Sequence, residues 1–245
     1  RCPAVRLCRC VKNTSQNKVP KGTLMGKLIV IEGLDGCGKT TQINRLPEVL
    51  FEKGLDSKII SFPDYEDPSS TLVRMYLGGE FGDKPDSVNA YAASLFYAVD
   101  RYASYKRHWE EYYKNGGVII SGRYVESNAY HQMAKLPEKQ WDEYLNWLYA
   151  TEYEKTAIPK PDLVIFLDMP VEVSTAMMTS RYSGDEAKKD IHEKDRQYLS
   201  NCRKAAKYAA EKCGWTVIGC AENGSPRSIE AISEDIAKCV FDAVK

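Results

Sequence analysis

One stretch constrains this chain more than any other feature of its sequence, and it reads Gly33-Leu34-Asp35-Gly36-Cys37-Gly38-Lys39-Thr40-Thr41. It matches the pattern G-x-x-x-x-G-K-[ST], and it stands between the apolar run 28–31 and a helical pattern that follows it. Glycines at this spacing let the backbone wrap around an anion, and the amides at the start of the helix point positive dipoles towards it. A chance glycine-rich turn is the weaker interpretation, because both the strand and the helix are in place.

Two side chains of this loop are candidates for chemistry. In P-loop enzymes the lysine, here Lys39, bridges the β- and γ-phosphate oxygens, and the hydroxyl, here Thr40, holds Mg²⁺. We therefore expect all nine residues of the stretch to bind ATP, with Mg²⁺ as its companion ion.

The composition excludes several classes of protein. A chain of 245 residues suits one domain, or one domain with a tail, and its formal net charge of zero argues against nucleic acid or an anionic membrane as a partner. No apolar run approaches the roughly 18 residues that span a bilayer. The eight cysteines are scattered without a C-x-x-C pair, which favours a reducing compartment over a zinc site, and we expect a cytoplasmic protein.

Residues 1–24 differ from the rest of the chain. They hold six basic residues, three cysteines and no acid, and Met25-Gly26-Lys27 then reads like a start just before the first predicted strand. A translated leader, a basic transit peptide and a nucleic-acid-binding arm are three interpretations, and the lack of amphipathic periodicity favours the leader. We expect this extension to be disordered and dispensable, and the folded domain to cover 25–245.

Five strand-like apolar runs alternate with helical patterns in this domain. The alternation predicts an α/β fold of three layers, in which a five-stranded parallel sheet carries helices on both faces. The runs cover residues 27–31, 57–62, 117–121, 162–168 and 215–220. Because ligands bind beyond the carboxyl ends of such strands, the residues that follow each run are the functional candidates.

The helical patterns differ in character. The longest covers 87–114, and an aromatic-rich one follows Pro137, as is typical of core or oligomer-interface helices. Residues 180–197 are dense in charge and follow the fourth strand and its helix. A solvated loop is one interpretation, and a mobile lid over the phosphates, about 181–195, is the favoured one.

Polar groups gather at the ends of helices and strands. Tyr97 and Arg101 lie one helical turn apart, so an aromatic ring and a guanidinium share a face, as suits a planar base. A surface aromatic residue beside a charge is the other interpretation, and it is the stronger one when the pair is taken alone. Arg123 directly follows the third strand and is a candidate phosphate clamp, while the amide of Asn128 offers a donor and an acceptor to a base. Asp168 ends the fourth strand, where ordering of Mg²⁺ or the P-loop and helix capping are both open.

Together these residues resemble the thymidylate kinases. The resemblance extends from residue 26 to the C-terminus and rests on four blocks in order, at 32–36, 95–101, 123–124 with 127–128, and 161–168. It implies a P-loop kinase fold with a short lid, which transfers the ATP γ-phosphoryl group to dTMP, giving dTDP and ADP for dTTP biosynthesis. Members of the family are typically homodimers packed through long helices, which would suit the 87–114 segment.

The resemblance also implies roles for individual residues. Asp35 would lie near the 3′-hydroxyl and the Mg²⁺ water shell, and Tyr97 would stack on thymine. Arg101 would read a base carbonyl, Arg123 would contact the acceptor phosphate, and Asn128 would bond the thymine edge. The other dTMP contacts that we expect are Phe62, Arg74, Ser127 and His131.

The variable positions of the P-loop, 34–37, contain no basic residue. Family members of this kind carry basic residues in the lid, where they neutralise charge on the transferred phosphoryl group. The resemblance therefore implies a catalytic set of Lys39, Asp35 and Arg123 with the lid residues Arg181, Lys188 and Lys189. We expect removal of the lid charges to lower kcat more than it raises KM.

Three positions depart from the family pattern. Gly122 replaces the usual aspartate before Arg123, Asp64 stands where an arginine is often found, and His131 replaces a common tyrosine. We expect Arg74 to supply the missing basic group. We also expect an aspartate restored at position 122 to leave activity equal or better.

Two other functions remain open. A deoxynucleoside kinase would need a carboxylate base after the second strand, and Asp64 lies there. A nucleotide switch of the GTPase kind would need an N-K-x-D segment, but the only Asn-Lys pair, at 17–18, precedes the P-loop. We expect a kinase whose partners are ATP, dTMP and a second copy of the chain, without nucleic acid or membrane.

Overall fold

Apolar and mainly β-branched runs build the central sheet. The computed structural model describes residues 25–181 and 196–244. Within them, the sheet has five parallel strands in the order β2-β3-β1-β4-β5, which confirms the predicted α/β architecture. The strands are β1 (Lys27–Gly33), β2 (Ser57–Ser61), β3 (Val118–Gly122), β4 (Leu163–Asp168) and β5 (Thr216–Gly219).

Helices cover both faces of this sheet. Those in the described ranges are α1 (Lys39–Phe51), α2 (Thr71–Leu77), α3 (Ala90–Ser104), α4 (Glu110–Lys114), α5 (Val125–His131), α6 (Trp141–Tyr149), α7 (Val171–Arg181), α8 (Arg196–Cys213) and α9 (Ile229–Val244). A π-helical segment, Tyr105–Trp109, joins α3 to α4, so the predicted long helix is observed as one run from 90 to 114. A second π-helical segment, Ala150–Lys155, continues α6.

Alternation along the central strand divides the core into two layers. Leu28 and Val30 pack into the larger, aromatic-rich cluster with side chains of α5, α6 and α8. Ile29 and Ile31 point to the opposite face and pack into a cluster with α1 and α9. Successive residues of a strand face opposite sides, so a strand that is apolar throughout, as β1 is, must be covered on both faces.

Helix α1 continues through Pro47, which removes one backbone hydrogen bond. Leu46 and Leu50 on the same helix are buried against the sheet. We infer that this burial offsets the local cost, so the helix that begins at the P-loop is held rigidly on the sheet.

A short hairpin of β6 (Ala221–Glu222) and β7 (Ser225–Pro226) lies between β5 and α9, and the sequence analysis did not predict it. The cysteines in the described ranges are free thiols. None of the described helices combines the length and the apolarity that crossing a bilayer requires.

Candidate active site

The P-loop turns at the carboxyl end of β1. Gly36 and Gly38 have φ angles of 77° and 85°, which side chains rarely allow. A Cβ atom on Gly36 would also lie 2.6 Å from the carbonyl oxygen of Ser174. The loop leads directly into α1, whose amino end is a ready anion site, and Nζ of Lys39 donates to the carbonyl oxygen of Gly33 at 3.0 Å. The ammonium is therefore held against the loop that would carry the phosphates.

Oxygen donors suited to Mg²⁺ stand beside this loop. The side chain of Thr40 is exposed in the first turn of α1, and the carboxylate of Asp35 keeps a quarter of its surface, 26%, open to solvent. Mg²⁺ prefers oxygen ligands and retains several of its waters, which a partly exposed hydroxyl and carboxylate permit. These two residues fit the ion that the sequence analysis expected.

Arg123 connects the P-loop to α5. Its φ of 65° is a conformation that costs a non-glycine residue about 1–3 kcal/mol, and such strain is concentrated at functional sites. The guanidinium forms an ion pair with Asp35. Its Nη1 also donates to the hydroxyl groups of Ser127 at 3.3 Å and Tyr130 at 3.0 Å, and it lies 3.2 Å from Nε2 of His131. The positive group is therefore fixed in place before any substrate arrives.

A buried acid supports the same segment. The carboxylate of Glu32 accepts hydrogen bonds from the backbone N–H of Tyr124 at 2.7 Å, the hydroxyl of Ser127 at 2.7 Å and the hydroxyl of Tyr130 at 2.8 Å. A buried carboxylate is retained when donors satisfy it in this way. The sequence analysis included Glu32 in the family motif without a role, although an acid inside an apolar strand was a signal of one.

A cavity opens beside Arg123, and we call it the acceptor pocket. It brings together every predicted dTMP contact except Arg74, namely Asp35, Phe62, Tyr97, Arg101, Arg123, Ser127, Asn128 and His131. It is completed by Pro63, Tyr65, Leu77, Tyr124 and Gln132. The pocket thus combines two paired guanidinium groups, aromatic rings and two amides, which are groups that complement a nucleoside monophosphate.

Arg101 enters the wall of this pocket with its charge already paired. Its Nε donates to Oε2 of Glu152 at 3.0 Å, its Nη2 pairs with Oε1, and its Nη1 donates to the carbonyl oxygen of Tyr124 at 3.3 Å. Burial works against the charged guanidinium, but the charge of Glu152 outweighs it and raises the pKa of Arg101. Glu152 is the partner that the sequence analysis missed, since the two residues lie far apart in the chain.

Arg74 is not brought to the pocket. Its guanidinium is exposed and donates to the carbonyl oxygen of Tyr65 at 2.8 Å and to the hydroxyl of Ser70 at 2.7 Å. It therefore stabilises the segment before α2, and it does not line the acceptor pocket, where we expected it to offer a basic group. Arg74 follows the Phe-Pro pair in sequence, but this position does not determine the direction in which its side chain points.

Gln132 is one of the pocket residues that the sequence analysis did not select. Its side chain is 1% exposed, and neither Nε2 nor Oε1 has a hydrogen-bond partner among the described residues. Buried amides are normally paired, so this unpaired amide in the pocket wall is a candidate contact for a ligand. The signal was present in the sequence, because Gln132 follows Asn128 by four residues and shares its helical face.

Comparisons with known proteins agree with this geometry. The family model described as thymidylate kinase matches residues 31–236, most of the chain. The chain belongs to the thymidylate kinase family. The thymidylate kinase of Mycobacterium tuberculosis is 30% identical over 197 residues, which cover 78% of this chain and 91% of the relative. A probable thymidylate kinase of Pyrobaculum aerophilum is 29% identical over 221 residues, covering 89% of this chain and 97% of the relative.

The fold is also similar to that of a solved thymidylate kinase structure. A solved structure of thymidylate kinase from Candida albicans superposes with a TM-score of 0.66 at 22% identity, and the match covers 90% of this chain and 94% of that chain. The five-stranded parallel sheet with surrounding helices is therefore that of a P-loop kinase. Membership of the thymidylate kinase family makes this protein an enzyme and removes the GTPase-type switch from consideration.

The position of Asp64 argues against a role as catalytic base in this member of the thymidylate kinase family. Its carboxylate lies close to the carboxylate of Asp67 and to the ring of His108. Its backbone N–H donates to the carboxylate of Asp100 at 2.9 Å. It does not line the acceptor pocket. The deoxynucleoside kinase alternative, which depended on this carboxylate, therefore has no support from its position.

The lid prediction of the sequence analysis falls largely outside the described residues. Lys188 and Lys189 lie there, and of Arg181 only the backbone is described, at the end of α7. Asp168, for which ordering of Mg²⁺ or the P-loop and helix capping were both open, instead accepts two hydrogen bonds from Arg203 of α8, at 2.7 and 3.1 Å. Lys207 adds a second positive charge 3.3 Å away.

Proposed function

We propose that this protein transfers the γ-phosphoryl group of ATP to dTMP, giving ADP and dTDP, as a step of dTTP biosynthesis. The acceptor pocket is the observation that carries the proposal. It joins the guanidinium of Arg123, beside the P-loop, to aromatic side chains and to the amides of Asn128 and Gln132. A phosphate, a planar ring and a polar ring edge would each find a complementary group there.

Positioning and charge neutralisation would carry the chemistry. The phosphate of dTMP is already an anionic nucleophile, so its oxygen would attack the γ-phosphorus in line without a general base or a covalent enzyme intermediate. Arg123 would orient the acceptor phosphate, and Lys39 would hold the phosphates of ATP. Thr40 and Asp35 would hold Mg²⁺ directly or through water. When bound, this ion neutralises part of the negative charge of the phosphates.

Two further features belong to the proposal. The lid at about 181–195 would add Arg181, Lys188 and Lys189 to the transferred phosphoryl group. A homodimer would form through α3, whose exposed apolar side chains Leu95, Val99 and Tyr102 recur at the spacing of one helical face. The dispensability of residues 1–24, the absence of a nucleic-acid partner and a cytoplasmic location stay predictions.

A coupled assay of ADP release with a panel of nucleoside monophosphates tests the proposal. We expect activity with dTMP far above that with AMP, CMP or GMP, and we expect Lys39→Ala to lower kcat by about 100-fold or more at an unchanged melting temperature. An exposed lysine on the turn after α1, replaced in Lys53→Ala, is the matched control. Higher activity with thymidine than with dTMP would overturn the assignment of the acceptor.

A further inference from the structure

A cluster of metal-ligating side chains joins the loop after β2 to the π-helical segment that follows α3. It consists of Asp64, Asp67 and His108, each of which offers one ligand atom, and these three atoms lie within 4.8 Å of one another. We call it the Asp-His cluster. None of its residues lines the acceptor pocket, and phosphoryl transfer as proposed above does not use them. His108 belongs to the π-helical segment, a type of turn that is frequent at functional sites.

The spacing of these atoms suits a metal ion. Nε2 of His108 lies 2.9 Å from Oδ2 of Asp67. Ligand bonds of about 2.0–2.1 Å at angles near 90–110° separate neighbouring ligand atoms by roughly 3 Å, so this pair already has the spacing of two ligands of one ion. The other carboxylate oxygen of Asp67, Oδ1, accepts a hydrogen bond from the backbone N–H of Ser69 at 2.9 Å, which fixes the direction of Oδ2.

Negative charge exceeds positive charge around the cluster. The hydrogen bonds from His108 and from the backbone of Ser69 lower the pKa of Asp67 to about 2, so this carboxylate is ionised near neutral pH. Asp64 has no ion pair in the part of the chain that the structure describes, and its backbone N–H donates to a third carboxylate, Asp100, at 2.9 Å. Burial raises the pKa of Asp100, and the charge of Asp64 adds to this effect. A divalent cation would compensate the excess.

Arg107 is the cation that a metal would displace. Its Nη1 donates to Oδ2 of Asp67 at 2.6 Å, and its guanidinium has no further partner in the described ranges. The side chains of Arg107 and His108 are 57% and 41% exposed, so the cluster opens to solvent once the arginine turns away. An ion pair with so exposed a cation contributes little to stability, so its loss is a small cost against three metal–ligand bonds.

We propose that the Asp-His cluster binds one Zn²⁺ ion through Nε2 of His108 and one carboxylate oxygen each of Asp64 and Asp67, with water completing a tetrahedral shell. A neutral imidazole and carboxylates are ligands of zinc, and three protein ligands with one water are a common arrangement for this ion. Mg²⁺ prefers an octahedral shell of oxygens and suits the imidazole less well. The ion would replace Arg107 as the partner of Asp67.

Zinc at this site is expected to increase the affinity for dTMP, a consequence that rests on the proposed function. Asp64 stands between Pro63 and Tyr65, which line the acceptor pocket, and its backbone N–H bonds to Asp100, the residue before Arg101. An ion that fixes Asp64 would restrict this wall of the pocket, and a wall fixed in advance loses less freedom when dTMP binds.

Zinc binding is measured on the full chain by proton NMR of the histidine rings near neutral pH. The chain has three histidines, and the signals of His108 are those lost in His108→Gln. We expect Zn²⁺ to shift these signals and to suppress their change with pH, because the metal takes the nitrogen that a proton would occupy. Asp64→Asn should weaken binding tenfold or more, since loss of even an outer-shell partner costs about 10- to 100-fold in affinity.

Two neighbouring cations give a matched pair of variants. Arg107→Gln removes the competitor for Oδ2 of Asp67, so it should tighten zinc binding several-fold in the same titration. Lys106→Gln removes an equal charge one residue away, but Lys106 pairs with Glu110, so the affinity should stay unchanged. Because both side chains are exposed, this pair keeps the test decisive if Asp64→Asn fails to fold.

Three results would overturn the site. They are His108 signals that do not respond to Zn²⁺, equal affinity in Asp64→Asn and the wild type, and zinc binding by Arg107→Gln that is no tighter than that by Lys106→Gln. The coupling is tested separately by equilibrium dialysis of dTMP without ATP, where Zn²⁺ should increase the affinity of the wild type and not that of His108→Gln. An unchanged affinity would refute the coupling alone, and low activity with dTMP in the absence of zinc would refute the proposed function.

Discussion

The guanidinium of Arg101 and the carboxylate of Glu152 form an ion pair in which each side chain is 1% exposed. The pair joins α3 to the π-helical segment after α6, and it fixes a guanidinium in the wall of the acceptor pocket. Removing one partner would leave the other charge buried without compensation, which is costly in a medium of low dielectric constant.

Glu152→Ala is therefore expected to lower the free energy of unfolding by about 3–5 kcal/mol, as measured by urea denaturation. Asp235→Ala is the matched control, because it breaks the pair between Arg227 and Asp235, whose side chains are 27% and 48% exposed. That change should cost less than about 1 kcal/mol. Equal losses in the two variants would show that burial does not govern the contribution of the pair.

Gln132 is expected to contribute to selection of the base. Gln132→Ala should raise KM for dTMP roughly two- to tenfold with a smaller effect on kcat, because a neutral hydrogen bond contributes about 0.5–1.5 kcal/mol. It should also reduce the ratio of the activity with dTMP to the activity with CMP in the ADP-release assay. Gln197→Ala, on the exposed surface of α8, is the control and should leave KM unchanged. A Gln132 variant with the kinetics of the control would exclude a role in binding.

Gly122 lies against a side chain of α1, and this contact changes the activity that we expect from an aspartate at position 122. A Cβ atom at this position would lie 2.8 Å from Cδ1 of Ile43. Gly122→Asp alone should cost about 1–3 kcal/mol of stability through overpacking. Ile43→Val removes the conflicting methyl group, so the double variant should be more stable than the sum of the two single changes predicts.

The double-mutant cycle is measured by urea denaturation, with Ile232→Val as a second partner that lies in the same core layer but does not meet this Cβ. Coupling to Ile43 and not to Ile232 is the expected result. Activity equal to or better than that of the parent is then expected only when valine stands at position 43. Strict additivity with Ile43→Val would contradict the steric explanation.

Glu126 should make stability depend on pH. Burial raises its pKa from the ordinary value to about 8 in the folded state. The hydrogen bond from Tyr153 and the charge of Arg101 lower this pKa, and the charge of Glu32 raises it. Between those two pKa values the folded state retains a proton that the unfolded state has lost, so the free energy of unfolding falls as pH increases.

The glutamine of Glu126→Gln stays neutral and causes no such pH dependence, so the stability of this variant relative to the wild type should increase from weakly acidic pH to about pH 8. Denaturation at a series of pH values measures the difference. Glu154→Gln, on the exposed side of the same π-helical segment as Tyr153, should show no such trend. A constant difference between Glu126→Gln and the wild type would mean that the carboxyl is not buried as described.

The exposed face of α3 should determine the oligomeric state. Val99→Glu places a charge among Leu95 and Tyr102, and we expect it to convert a dimer into monomers in light-scattering measurements at micromolar concentration. Val217→Glu, at a similarly exposed valine of β5, is the control and should remain dimeric. A dimeric Val99 variant, or a monomeric wild type, would refute packing through α3.

The sequence by itself determined the fold class and the phosphate-binding element. Continuous apolar runs separated by helical patterns require a sheet covered on both faces, and the spacing of Gly33, Gly38 and Lys39 leaves few alternatives to a P-loop. The residues Tyr97, Arg101, Arg123 and Asn128 were candidates because each lies at a strand end or on one helical face, and the resemblance to the thymidylate kinases then gave them their roles. Local periodicity predicts the elements on which these residues lie without any knowledge of tertiary contacts.

Only the tertiary structure decided which polar side chains are free and which are already paired. Arg74 and Arg101 are both arginines near the predicted site, yet one is bonded to the segment before α2 and the other to Glu152. The side-chain amide of Gln132 has no partner within residues 25–181 and 196–244, and the side chain of its neighbour Asn128 donates to a backbone carbonyl at 3.4 Å. Hydrogen bonding between side chains distant in sequence depends on the packing of whole helices, which no local pattern records.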